Sequence, residues 1–100
     1  MRIIDIRGLN IELTDALHAF VHEKLRALEK LCESYSPCDV SVEIGKITPA
    51  QHKGNIWRAE LRMTIPGNSF HIERVTDDLY AAIDLAKDAL KQQIVDYKRK

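Results

Sequence analysis

The feature that most constrains this chain is the strict alternation between residues 57 and 65. Trp57, Ala59, Leu61, Met63 and Ile65 alternate with Arg58, Glu60, Arg62 and Thr64. A period of two puts the first set on one face of an extended strand and the second on the other. Such a strand buries one face and wets the other, as in an antiparallel sheet covered on a single side. Pro66-Gly67 suits the central positions of a type II turn, where Pro presets the first φ and Gly accepts a positive second one. Phe70 and Ile72 then alternate with His71 and Glu73 in a returning strand. Upstream, Val40, Val42 and Ile44 alternate with Ser41, Glu43 and Gly45 in another half-buried strand. Residues 2–7 read as a further strand in which Ile4 and Ile6 share a face, with Gly8 as punctuation. Between these strands, residues 45–55 form a polar, basic loop.

The remaining segments have helical spacing. Thr14 is a good N-cap with Asp15 in the first turn. Leu17, Phe20, Val21, Leu25, Leu28, Leu31 and Cys32 recur at intervals of three and four, which predicts one helix over 15–32. Ser34-Tyr35-Ser36-Pro37 ends it. Thr76 or Asp77 is the expected cap of a second, longer helix with the stripe Leu79, Ile83, Ala86, Leu90, Ile94 and Tyr97. Lys98-Arg99-Lys100 close that helix with charges favourable to its dipole.

A chain of 100 residues is the size of one domain. The expected fold is therefore α+β, a single domain over 1–100 in the order β-α-β-β-β-α. Its sheet is four-stranded and mostly antiparallel, with two parallel helices on one face. The first strand-helix-strand unit implies parallel strands. A hydrophobic fraction of 45% and a charged fraction of 30% are ordinary for a soluble globular protein. No apolar run approaches the roughly 20 residues of a membrane span. Met1-Arg2-Ile3-Ile4-Asp5 has neither the apolar core nor the cleavage site of a secretory signal, so the cytoplasm is the expected location. There Cys32 and Cys38 are expected as free thiols.

Lys plus Arg and Asp plus Glu number 15 each, which argues against a generic nucleic-acid binder without excluding a local basic patch. No Ser-His-Asp pattern, Gly-rich phosphate loop or Walker motif is present, so no enzyme is read here. His18 and His22 have the i, i+4 spacing that two metal ligands can use, but no carboxylate beside them completes a motif. Two solvated histidines explain them better. His52, in the loop, and His71, on the wet sheet face, suggest no chemistry. Arg58 and Arg62 with Glu60 and Glu73 fit cross-strand pairs. The basic helix residues say more. Lys87, Lys91 and Lys98 fall on one line with Tyr80 beside the apolar stripe. Lys24 falls within the first stripe, between Phe20 and Leu28, where lysine belongs only if its ammonium finds an exit to water. Arg26 and Lys30 lie on the exposed side. These residues form either a phosphate-gripping surface or an ordinary solubilising face with Glu23, Glu29, Asp84 and Asp88 interspersed.

Three stretches resemble the bacterial ribosome hibernation-promoting factors and ribosome-associated translation inhibitors, also called σ54-modulation proteins. They are Gly8-Leu9-Asn10-Ile11-Glu12-Leu13-Thr14-Asp15-Ala16-Leu17 with Phe20-Val21, Lys24-Leu25 and Leu28-Glu29-Lys30, then the Val40–Lys46 strand, then Asp77-Asp78-Leu79-Tyr80-Ala81-Ala82-Ile83-Asp84. The resemblance spans almost the whole chain and implies a short-form, non-enzymatic protein without cofactors. It implies binding to the small ribosomal subunit and its 16S rRNA, in the channel of messenger and transfer RNA. Translation is thereby blocked in stationary phase or stress. No membrane or DNA partner is expected, and the protein should be a monomer or weak homodimer. Lys24, Lys30 and Lys98 match basic positions of the family, whereas Ala27, Ala89, Gln92 and Asp96 stand where it commonly has Lys or Arg. The expected RNA contacts are Lys24, Arg26, Lys30, Tyr80, Lys87, Lys91, Lys98 and Arg99. The alternative is a divergent paralogue acting as a protein-interaction module with weak or no RNA binding. A metal or redox protein using His18/His22 or Cys32/Cys38 is the least favoured reading.

Overall fold

A computed structural model describes residues 1–99. Its elements are β1 (Arg2–Leu9), α1 (Asp15–Arg26), α2 (Glu29–Cys32), β2 (Asp39–Lys46), β3 (Trp57–Ile65), β4 (Asn68–Thr76) and α3 (Leu79–Lys98). The four strands form one sheet in the order β1-β2-β3-β4. β1 and β2 are parallel, whereas β2–β3 and β3–β4 are antiparallel. The alternation seen in the sequence is the alternation of burial. Ala59, Leu61, Met63 and Ile65 are buried with Val40, Val42, Ile44, Phe70 and Ile72 of the flanking strands. The helices cover that face through Val21 and Leu25 of α1 and Ile83, Ala86, Leu90 and Ile94 of α3, all at most 2% exposed. Each Val, Leu, Ile, Met or Phe side chain in this layer contributes about 1.5–3 kcal/mol through burial, so the layer is the main source of stability.

The helices run parallel. Phe20 of α1 meets Tyr80 of α3 edge-on at 4.8 Å, and one turn further Lys24 meets Asp84 at 3.2 Å. Thr14 caps α1, its hydroxyl accepting from the Leu17 amide at 3.1 Å. Gly67, at φ +84, fills the turn position that the Pro66-Gly67 pair requires.

The structure differs from the sequence reading at three places. The expected helix over 15–32 is two pieces. The Ala27 and Leu28 amides bond to carbonyls three residues back, which tightens the chain after α1 and leaves Leu28 wholly buried. In β1 the pairing with β2 shifts between Ile3 and Asp5, so one extra residue is inserted. Ile3 and Ile6 pack against the core while Ile4 is 54% exposed. Alternation alone had paired Ile4 with Ile6, and the bulge reverses that parity. The cap of α3 is Asp78 rather than Thr76 or Asp77. Its carboxylate accepts from the Ala81 amide at 2.9 Å, and Thr76 instead braces the turn by accepting from the Asp78 amide at 3.1 Å.

Gly45 lies where β2 runs close against Leu9 of β1. A Cβ placed there would lie 1.9 Å from the Leu9 carbonyl oxygen. Gly45→Ala should therefore push the strands apart and cost about 2–3 kcal/mol in denaturant unfolding. Ala at Gly54, which faces open space, should cost less.

Candidate functional site

The groove between α1 and α3 brings together three of the expected contact residues, Lys24, Tyr80 and Lys87, and it is not uniformly basic. The Lys24 ammonium lies 5.4 Å from the centroid of the Phe20 ring and reaches across to Asp84 of α3 at 3.2 Å. Lys87 reaches the same carboxylate at 3.7 Å and Asp88 at 2.6 Å, with only 16% of its side chain exposed. The hydrogen bond to Asp88 raises the Lys87 pKa against the opposing effect of burial. The same bond, opposed by partial burial, holds Asp88 below the ordinary carboxylate value, helped by the charges of Lys87, Lys91 and Lys24. Asp84 stands one turn after Tyr80 and three residues before Lys87, on the same line as the lysines. That spacing was visible in the sequence. Its effect, tying lysines from two helices to one carboxylate, needed the helices side by side.

The other basic residues are placed differently. Arg26, Lys30, Lys91, Lys98 and Arg99 are exposed. Among the described residues none of these five has an ion-pair partner within 4.0 Å. Because the helices are parallel, these residues gather toward the same end of the molecule, at the C-terminal half of α1, on α2 and along the C-terminal half of α3. The Lys98 ammonium lies 5.6 Å from the Tyr35 ring centroid, and Tyr35 and Tyr97 pack together at 5.7 Å. Tyr80 is exposed at the opposite end of the groove. Lys100 lies outside the described residues.

On the uncovered face of the sheet the expected charge pairs are present. Arg58 donates to Glu43 at 2.9 Å and to Glu60 and Glu73 at 3.0 Å each. Glu60 also accepts from Arg62 at 3.3 Å and contacts His71 Nε2 at 2.7 Å. Burial works to raise the Glu60 pKa, but the hydrogen bonds from His71 and Arg62 and the nearby Arg58 charge outweigh it and leave it lowered. This face is closed on itself electrostatically and offers little free charge to a ligand.

His18 and His22 stack at 5.4 Å beside a shallow depression lined by Ile3, Ile4, Asp5 and Ile6. Among the described residues no three His, Cys, Asp or Glu side chains converge to hold a metal ion. Cys32 and Cys38 are free and buried, and the Cys32 sulfur lies 3.9 Å from that of Met63. Burial first, and the neighbouring Cys38 second, push the Cys32 thiol up to about 12. Among the described residues no helix is long and apolar enough to cross a membrane. One arrangement escaped sequence reasoning. Lys46 continues the inward parity of Val40, Val42 and Ile44, and is only 9% exposed.

The family model for Sigma 54 modulation protein / S30EA ribosomal protein matches residues 4–100. The chain belongs to this family. It is 30% identical over 97 residues to the ribosome hibernation promoting factor of Salmonella typhimurium, covering 97% of this chain and 94% of that one. It is 29% identical over 98 residues to the ribosome hibernation promotion factor of Deinococcus radiodurans, covering 98% of this chain and 50% of the relative, so it spans about half of that protein. The crystal structure of the Thermus thermophilus Protein Y N-terminal domain matches with a TM-score of 0.81 at 32% identity, covering 97% and 99% of the two chains. A ribosomal subunit interface protein from Coxiella burnetii shares the fold at a TM-score of 0.81 and 20% identity, each chain being covered completely, 100% and 100%. The S30EA family is one of ribosome hibernation factors rather than enzymes.

Two outcomes follow from the site. Because its folded pKa is lowered, Glu60 should contribute stability that is fully present above the ordinary value near 4.5 and lost as pH falls through the folded value. Glu60→Gln should cost about 1 kcal/mol at neutral pH and flatten the acid limb of a pH–stability curve. Native protein should leave Cys32 and Cys38 almost unreactive toward a thiol reagent at neutral pH, and denaturant should release both.

Proposed function

We propose that this protein binds the small ribosomal subunit through its helical face and halts translation by occupying the channel used by messenger and transfer RNA. The observation that carries this reading is the retained pair of parallel helices, in a chain matched to the S30EA family over nearly its whole length. The relatives named as hibernation factors support a ribosomal role, exercised in the cytoplasm under stress or in stationary phase. The sign distribution supports the orientation. The sheet face neutralises itself around Arg58 and Glu60, whereas Arg26, Lys30, Lys91, Lys98 and Arg99 carry charges that no carboxylate among the described residues holds.

The mechanism is steric. Free ammonium and guanidinium groups lower the energy of approach to phosphates and release condensed counterions, and the docked domain then excludes other ligands. Lys24 and Lys87 contribute less than their positions suggest, because each must first loosen its hold on Asp84 or Asp88. Tyr80 serves as a packing surface at the other end of the groove. A second reading, a protein-interaction module with weak RNA binding, is favoured by the charge balance around Asp84. It predicts capture of a specific protein rather than ribosomes.

Pelleting with intact ribosomes and with isolated small subunits, at low and high salt, tests the proposal. Co-sedimentation should be strong at low salt and weaken steeply as salt rises. Replacing both Lys98 and Arg99 by Glu should weaken it by roughly ten- to a hundredfold, since two contacts are lost and two repulsions gained. Lys24→Ala should cost less than tenfold. No co-sedimentation at low salt with either particle would remove the reading.

A further inference from the structure

The strongest unassigned feature lies away from the helix groove, at the end of the sheet where β2 passes into the loop before β3. Lys46 is nine-tenths buried, at 9% exposure. Its ammonium lies 3.4 Å from His52 Nδ1 and 5.8 Å from the centroid of the Trp57 ring, to which Lys46 is also the register partner. Among the described residues no carboxylate oxygen stands within 4.0 Å of it. A lysine this buried normally has a carboxylate or several hydrogen-bond acceptors beside its ammonium, because the desolvation is otherwise uncompensated. Here it has an imidazole nitrogen and an aromatic face. The backbone beneath is pinned, since the Asn10 side-chain amide donates to the Lys46 carbonyl at 2.8 Å.

The surroundings share the sign. From Ile44 to Trp57 the sequence contains no acidic residue, but it does contain Lys46, His52 and Lys53. The nearest acids along the chain, Glu43 and Glu60, point to the opposite face of the sheet, where Arg58 holds both. In a chain of zero net charge this is a stretch of uncompensated positive charge built around an aromatic ring. A cation beside a half-buried indole is the pairing by which proteins take single-stranded nucleic acid, with phosphate on the cation and base against the ring.

We propose that this sheet end is a second RNA contact, in which Lys46, steadied by His52, takes a backbone phosphate and Trp57 takes the adjacent base, with Lys53 on the next phosphate. The inference rests on the ribosomal reading for its biological setting, although the contact itself is tested without ribosomes.

Trp57 is the sole tryptophan, so its fluorescence reports on the site directly. An octauridylate titrated at low salt should quench Trp57 saturably. Lys46→Met, which keeps the buried stem and removes the charge, should weaken this binding about tenfold and make the salt dependence shallower by about one phosphate contact. Arg2→Ala, which removes an exposed ion pair with Asp39 at the other end of β2, should leave the Trp57 quench unchanged. Should Lys46→Met melt early, the exposed pair His52→Ala with Lys53→Ser carries the same test, with a loss of severalfold. Absence of saturable quenching in the native protein, or equal quenching in the loop variants, overturns the proposal. Ribosome pelleting separates the two readings. Pelleting that is unaffected by Lys46→Met, with no oligonucleotide quench, sinks this contact alone. A Lys46-dependent quench without pelleting sinks the ribosomal role alone.

Discussion

The inner face of this sheet is apolar from edge to edge, and no single helix is wide enough to cover it. Val40, Val42 and Ile44, the row from Ala59 to Ile65, and Phe70 with Ile72 all lie on that face. Two helices must therefore lie side by side across it. They end up parallel because each follows a strand of the same direction, β1 and β4. Everything about the groove descends from that constraint. It brings Phe20 to Tyr80, Lys24 to Asp84, and the C-terminal halves of both helices to one end. The same constraint leaves the outer face of the sheet to polar side chains, which satisfy one another around Arg58 and Glu60.

Much of the architecture was legible because period and burial coincide. The alternation from Trp57 to Ile65 and the stripe from Leu79 to Ile94 need only local geometry to be read correctly. Thr14 was likewise legible, since a hydroxyl preceding an apolar periodic run has one obvious task. The misreadings have a common cause, which is that tertiary contacts chose between local options of similar energy. Thr76, Asp77 and Asp78 can all cap a helix, and the sharp turn out of β4 selects Asp78. Ile3 and Ile4 are equally apolar, and the bulge against β2 decides which faces inward. After Arg26 the helical spacing continues, but the tightened turn at Ala27 and Leu28 breaks the helix.

The site was less legible than the fold. Periodicity put Lys24 within the first apolar stripe and Lys87 and Lys91 beside the second. Whether a lysine is available depends on neighbours in another segment, and those neighbours are set by packing. Asp84 neutralises Lys24 only because α1 and α3 are in contact. Lys46 illustrates the reverse. Its parity marks it as an inward residue, yet a lysine at the end of a strand reads as a loop residue until the Trp57 ring and His52 are seen around it.

The displaced residue in β1 reaches beyond side-chain orientation. β1 is an outer strand of the sheet, and its free backbone amides and carbonyls would otherwise present an even ladder to any extended chain that drifted past. Where Ile4 swells outward the ladder loses its step, so a visiting strand can match only a few rungs before falling out of phase. Such an irregular border discourages neighbouring copies from knitting into fibres, in addition to the charges that Arg2, Asp5 and Arg7 already set along it.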